Sequence, residues 1–325
     1  MTRARLRQLV EAFAGARILC LGDLMMDEYV WGRATRISPE SPVMVVEVDR
    51  ETSVPGGAAN VVHNLLALGA SVSVVGVVGE DAAGAALRAR LAEEGADVSG
   101  VLAEPGRPTT RKTRVVAHHQ QVLRVDRERA APLPDDVRER LEACIEGLAR
   151  TADAIVVSDY DKGVICSPTA RAAIEAGRRR GVPVAANAKP RNAACFAGAS
   201  LVSLNASEAD AVAGEPAFSA GDRLEPAGRA LREKIGVDTL VVTRGAEGLM
   251  LWERDGACRH VPAHPVEVYD VAGAGDTVIS VLTLGLARGV EPAEAAEAAS
   301  LAAAVVVRKV GVAVVTAQEL LDAGG

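Results

Sequence analysis

The run Asp270-Val271-Ala272-Gly273-Ala274-Gly275-Asp276 ends on a carboxylate and leads straight into an apolar helical stretch, residues 277–287. Gly273 and Gly275 permit a tight turn and remove the bulk that would keep a ligand away from the backbone. Such a turn sets amide N–H groups at a helix start, where unpaired donors and the helix dipole attract anions. Asp276, at the mouth of this cradle, is suited to take a proton from a hydroxyl. The amides of Ala274 and Gly275 would meanwhile hold the phosphoryl group under attack. Other readings fit less well. A dinucleotide fingerprint needs a third glycine where Val278 stands, and no P-loop pattern occurs. The bland alternative is a glycine-rich turn with a capping Asp.

A second glycine pair lies in Pro55-Gly56-Gly57-Ala58-Ala59-Asn60, ahead of an apolar helical run. Paired glycines allow close approach of a sugar to the backbone, and Asn60 can both donate to and accept from hydroxyls. Taken alone, the segment is equally a helix entry.

These groups need a frame. Short apolar runs at 17–22, 71–79, 154–158, 182–186, 201–204 and 239–243 read as strands. They alternate with helical patterns at 58–68, 82–94, 135–149 and 169–180. Apolar strands separated by helices predict a doubly wound, mostly parallel α/β sheet covered on both faces. Ligands bind beyond the carboxyl ends of such strands. Asp23, Asp159, Asn187, Asn205 and Arg244 all fall at or just after those ends. Two stretches, within 28–50 and 100–128, carry strand-like patterns without intervening helices. They predict a small β-sheet lid inserted in a single domain spanning 1–325, with ordinary surface hairpins as the alternative.

Composition narrows the partners. The chain has 325 residues, a net charge of −7 and 49% hydrophobic residues, so a large core is available and a general nucleic-acid binder is disfavoured. Five scattered cysteines without a C-x-x-C suit a reducing compartment. No signal peptide or membrane-length apolar run is read, which predicts a cytoplasmic protein with no membrane partner. The adjacent His118 and His119 would point to opposite faces of a strand. His260 and His264 are flanked by prolines, so neither pair reads as a transition-metal site.

The Asp270–Asp276 run resembles the D-x-x-G-A-G-D signature of the ribokinase (PfkB-type) carbohydrate kinases, and Gly56-Gly57-Ala58-Ala59-Asn60 resembles its earlier partner motif. That resemblance implies a ribokinase-like fold and ATP-dependent phosphorylation of a sugar hydroxyl, with Asp276 as general base. It makes Asp27, Asp23, Gly57 and Asn60 sugar ligands. Asn205-Ala206-Ser207-Glu208 is similar to the family's N-x-x-E motif, implying Mg2+ organised through water by Glu208. Thr243-Arg244-Gly245-Ala246-Glu247-Gly248 looks like its nucleotide turn. Asp270, with the 308–311 stretch, resembles segments around a monovalent-cation site, so K+ is a further expectation.

The narrower similarity is to the heptose 7-phosphate kinases. It rests on Arg36-Ile37-Ser38-Pro39-Glu40-Ser41-Pro42, on Lys112-Thr113-Arg114 with residues 118–126, and on Ser158-Asp159-Tyr160-Asp161-Lys162-Gly163. It implies D-glycero-β-D-manno-heptose 7-phosphate as acceptor, with Lys189, Arg114 and Arg124 for the 7-phosphate. Many members of that subgroup carry a second, nucleotidyltransferase domain; this chain ends soon after Gly311, so a kinase-only form is expected, and a homodimer through the lid with it. One departure stands out: where the subgroup usually has D-P-K, this chain has Asn187-Ala188-Lys189.

Overall fold

A computed structural model describes residues 1–118, 120–221 and 223–324; His119 therefore lies outside the described residues. The chain begins with helix α1 (Arg3–Phe13), strand β1 (Arg17–Gly22), β2 (Leu24–Ile37), β3 (Met44–Gly57) and α2 (Ala58–Ala67). It continues through β4 (Ser71–Gly79), α3 (Ala82–Glu93), β5 (Asp97–Glu104), β6 (Thr110–Ala117) and β7 (Gln120–Arg127). Then follow α4 (Asp135–Leu148), β8 (Ala154–Ser158), α5 (Ser167–Arg180), β9 (Val184–Asn187), β10 (Leu201–Asn205) and α6 (Ala206–Ala213). The last part comprises α7 (Ala217–Ala220), α8 (Leu224–Ile235), β11 (Thr239–Thr243), β12 (Leu249–Glu253) and β13 (Cys258–Val261). It ends with α9 (Ala274–Ala287), α10 (Pro292–Val306) and α11 (Ala317–Ala323).

Among the described residues the strands form two sheets. The larger runs β13-β12-β11-β10-β9-β8-β1-β4-β5 and the smaller β3-β2-β6-β7. All neighbours from β11 to β5 pair in parallel, while β12 and β13 close one edge antiparallel. Strand alternation sorts the core into two layers. Ile18, Cys20, Val72 and Val74 pack with α1, α2, α9 and α10. Leu19, Leu21, Val75 and Val77 pack with α4, α5 and α8 on the opposite face. Each fully buried Leu, Ile or Val contributes roughly 1.5–3 kcal/mol, so the sheet is held from both sides and its carboxyl ends form a rigid rim.

The sequence expectation needs one correction here. Residues 97–104, partly assigned to the lid, form β5 beside β4 in the main sheet. The lid hairpin proper is β6–β7, and its two crossings are pinned by one buried guanidinium. Arg107 pairs with Glu104 at 2.5 Å and donates to the carbonyls of Arg129 (2.7 Å), Ala131 (2.8 Å) and Lys162 (3.1 Å). Asp81 accepts from the amide and hydroxyl of Thr109 at 2.9 and 2.7 Å. The lid is thus fastened to the core at its root. His118 sits at the β6–β7 turn with φ 50°, not on a strand. No helix among the described residues is long and apolar enough to cross a membrane.

Candidate active site

The helix that carries Asp276 starts at Gly273, whose φ of 82° is one that side chains rarely adopt. The first intrahelical bond runs from Thr277 N–H to Gly273 C=O, and Ala274 N–H donates to Val271 C=O at 3.3 Å. The amides of Gly275 and Asp276 have no partner among the described residues. So the cradle rests on Gly275 and Asp276, and the Ala274 amide is spent on the turn. A side chain at Gly275 would meet no protein atom within 4 Å, so the protein's own packing does not require that glycine. The space beside it is open to a ligand.

Asp276 is 5% exposed, and its two oxygens are held from different parts of the chain. Asn60 Nδ2 donates to Oδ2 at 2.8 Å, and the Tyr160 hydroxyl donates to Oδ1. Burial pushes its carboxyl up to about 6. The hydrogen bonds from Tyr160 and Asn60 pull the other way, Asp27 raises it further and Lys189 lowers it. Burial and the neighbouring Asp276 charge hold the Tyr160 phenol well above its ordinary value, so it remains a donor. The result is a carboxylate that is fixed, desolvated and able to accept a proton.

Tyr160 is the residue that the sequence reading passed over. The sequence places it in the run 158–163 without a signal for its role. What delivers it is Asp23, 1% exposed, whose carboxylate accepts from the amides of Tyr160 (2.8 Å), Lys162 (3.2 Å) and Val164 (3.1 Å). Expected as a sugar ligand, Asp23 instead organises the loop after β8. Its burial raises its own pKa to about 6 against those three bonds.

Several other expectations are redrawn. The glycine pair serves internal packing: a Cβ on Gly56 would strike Asp27 Oδ2, and one on Gly57 would lie 2.5 Å from Met25 and 2.7 Å from Asp23 C=O. Asn60 faces the Asp276 carboxylate. Asp27 is buried and ion-paired with Arg114 across the β2–β6 register. Arg124 is exposed and engaged bidentately with Asp126 at 2.8 Å for both bonds. Arg244 turns away from the crevice, donating to Phe218 C=O at 3.1 Å and pairing with Glu247 at 2.6 Å. Asp270 staples two loops, accepting from the amides of Ala272 (2.9 Å) and Gly311 (3.0 Å).

The rim of strand ends forms one crevice in two parts. A polar cleft of about 290 Å3 is lined by Tyr160, Asn187, Lys189, Glu208, Thr243, Gly273, Gly275 and Asp276. It shares Thr243, Val271 and Gly275 with a more apolar cavity of about 370 Å3. That cavity is lined by Gly245, Gly248, Val266, Val268, Val278, Ala303 and Val307. One wall is the 243–248 turn that the sequence marks, while the walls from Val266, Val268, Ala303 and Val307 belong to no motif.

In the polar part, Asn205 caps α6 by accepting from Glu208 N–H at 2.9 Å, and Glu208 Oε2 accepts from Asn205 N–H at 2.9 Å. This is a capping box, a helix-start device in which loss of the cap side chain costs about 1 kcal/mol. The other Glu208 oxygen pairs with Lys189 Nζ. Lys189 therefore sits on the polar-cleft side, not in the lid. An apolar cavity opening into an anion cradle, with a buried carboxylate beyond, suits a nucleotide presenting its terminal phosphate to a hydroxyl.

Comparison with known proteins agrees. The family model "pfkB family carbohydrate kinase" matches residues 16–318. The chain is 41% identical over 323 residues to the bifunctional protein HldE of Trichlorobacter lovleyi, covering 99% of this chain and 66% of that protein. It is 44% identical over 323 residues to the bifunctional protein HldE of Geobacter metallireducens, covering 98% of this chain and 66% of that one. The chain thus spans just under two thirds of the length of these relatives.

In structure it is similar to Arabidopsis thaliana ribokinase complexed with ribose and ATP. The TM-score is 0.74 at 20% identity, covering 96% of this chain and 99% of that one. Escherichia coli phosphofructokinase-2 in complex with substrates and products gives 0.77 at 19% identity, covering 96% and 98%. These distant likenesses bear on the fold, which is ribokinase-like. Since the family model spans nearly the whole chain and the relatives align along it, the protein belongs to the pfkB family of carbohydrate kinases and is an ATP-dependent sugar kinase.

Proposed function

We propose that this kinase phosphorylates the anomeric hydroxyl of D-glycero-β-D-manno-heptose 7-phosphate, giving the 1,7-bisphosphate, in the synthesis of lipopolysaccharide heptose precursors. The likeness to HldE proteins and the lid segments that resemble heptose 7-phosphate kinases support the acceptor. The observation that carries the chemistry is Asp276. It is a buried carboxylate with both oxygens oriented, in the same first helical turn as the unpartnered Gly275 and Asp276 amides, beside which the Gly275 Cβ position is open. In this reading Asp276 takes the proton as the hydroxyl attacks, and the Gly275 and Asp276 amides stabilise the charge on the transferred group.

Magnesium fits the polar cleft through water. Glu208 is a carboxylate at its wall, yet its oxygens already serve Asn205 N–H and Lys189, so direct ligation would displace Lys189. Asn187 adds a neutral oxygen where related kinases are expected to carry an acid. When bound, the ion would neutralise phosphate charge. Asp270 fits a neighbouring K+, since each of its oxygens accepts a single amide and retains a lone pair. A homodimer through the lid belongs to the same reading, supported by exposed Leu123 and Val125 on β7.

The deciding experiment is ADP release across a panel of sugars, sugar phosphates and nucleosides, followed by NMR of the product to locate the new phosphate. Turnover confined to heptose 7-phosphate with the phosphate on C1 is the expected outcome. Preference for another acceptor would redirect the assignment within the family. Ligand-induced stabilisation without ADP production would mark a non-catalytic sensor.

Tyr160→Phe tests the base more finely. The hydroxyl it removes stabilises the ionised Asp276, so the carboxyl should rise further above about 6. A base must be ionised, and activity is lost as pH falls through its pKa. The acid limb of the kcat/KM profile is expected to move up by about one to two pH units, the size of one hydrogen bond to a charge. An unmoved limb would show that Tyr160 does not act on the base.

A further inference from the structure

The β2–β6–β7 register puts Asp27, Lys112 and Asp126 in one cross-strand row, and Tyr29, Arg114 and Arg124 in the next. Three of the cations near this face are matched: Arg114 with Asp27, Arg124 with Asp126, and Lys162 with Glu128 at 2.8 Å. Lys112 has no carboxylate partner among the described residues. Four cations therefore meet three carboxylates. The unmatched ammonium lies 5.3 Å from the Tyr160 ring centroid, and the hydroxyl of that ring is bonded to Asp276.

We propose that Lys112 anchors the anionic group of a phosphorylated acceptor, so that the lid selects a sugar phosphate over a neutral sugar. The inference rests on the kinase reading above and deepens it, since Lys112 takes the place that Arg114, Arg124 and Lys189 are expected to fill. Those three side chains are already paired with Asp27, Asp126 and Glu208 respectively.

Electrostatics accord with this role. Lys112 is half-buried, and its pKa is lowered first by desolvation. Asp27 opposes that shift, while Lys162, Arg124 and Arg114 add to it. A surplus cation held among like charges and partly out of water gains most from an incoming phosphate, which supplies charge and acceptor oxygens together. Tyr160, stacked beneath the ammonium, couples this anchor to the carboxylate that receives the proton. An acceptor whose phosphate is bound by Lys112 is thereby drawn toward Asp276.

The test measures KM and kcat for wild type, Lys112→Met and Lys112→Arg, using sugar phosphates and their unphosphorylated counterparts. Lys112→Met is expected to raise KM for the phosphorylated acceptor about 10- to 100-fold, with KM for ATP and kcat within about twofold. Lys112→Arg should restore most of the loss. Inorganic phosphate, used as a competitive inhibitor against the sugar phosphate, should lose potency in parallel. An unchanged acceptor KM would overturn the proposal, as would a rise confined to ATP. Should the Met variant fold poorly, Lys112→Gln decides: wild-type phosphate inhibition there refutes the anchor. The two readings fail separately. Turnover of another sugar phosphate with the same Lys112 dependence would sink only the heptose assignment. Heptose 7-phosphate turnover indifferent to Lys112 would sink only the anchor.

Discussion

Asp276→Asn is expected to lower kcat at least about a hundredfold while ATP binding, measured by calorimetry, stays close to wild type. The substitution removes a crevice-lining group that is buried, oriented on both oxygens and raised toward neutrality. It leaves the Gly275 backbone and the apolar cavity unchanged. An amide also cannot reproduce the hydrogen-bond pattern. It offers one acceptor where Asn60 and Tyr160 both donate, so the Tyr160 hydroxyl must turn and accept from the new amide instead of donating. Loss of turnover with retained nucleotide affinity separates a proton acceptor from a general scaffold residue. Near-normal kcat would remove Asp276 as the base, and the proposed chemistry with it.

How far the site was legible depended on whether a role was local. The strands at 17–22, 71–79, 154–158 and 239–243 were readable because a parallel sheet buried on both faces writes itself as short apolar runs. The G-A-G-D turn was readable because glycines, a carboxylate and a helix start lie within one segment. The role of Tyr160 was not readable, since its position depends on Asp23, more than a hundred residues away, accepting three amides from its loop. The same non-locality hides a packing role of Gly56 and Gly57, whose missing side chains make room for Asp27, Met25 and the Asp23 carbonyl. β5 reads as lid from sequence because its run shades into the polar stretch beyond it; only pairing with β4 assigns it to the core. That Lys112 is left unmatched emerges only once strand register shows which carboxylates its neighbours have taken.

Gly275→Ala should separate function from stability in the opposite sense to most active-site changes. At this helical position a Cβ meets nothing in the protein, and alanine is favoured over glycine in helices by up to about 1 kcal/mol. The fold should therefore tolerate it or gain slightly, with an unchanged or higher Tm. The methyl group would nonetheless occupy the space beside the free amide where the transferred group must approach. Moving an anion off such a donor costs roughly 10²–10³-fold in rate, and a loss on that order is expected in kcat. Gly273→Ala supplies the contrast. Its φ of 82° lies where a side chain is strained, and the Cβ would sit 2.9 Å from Asn60 Nδ2, so both stability and turnover should fall. Wild-type turnover in Gly275→Ala would mean that the phosphoryl group does not lie against that amide. The anion cradle would then have to be sought elsewhere along the crevice.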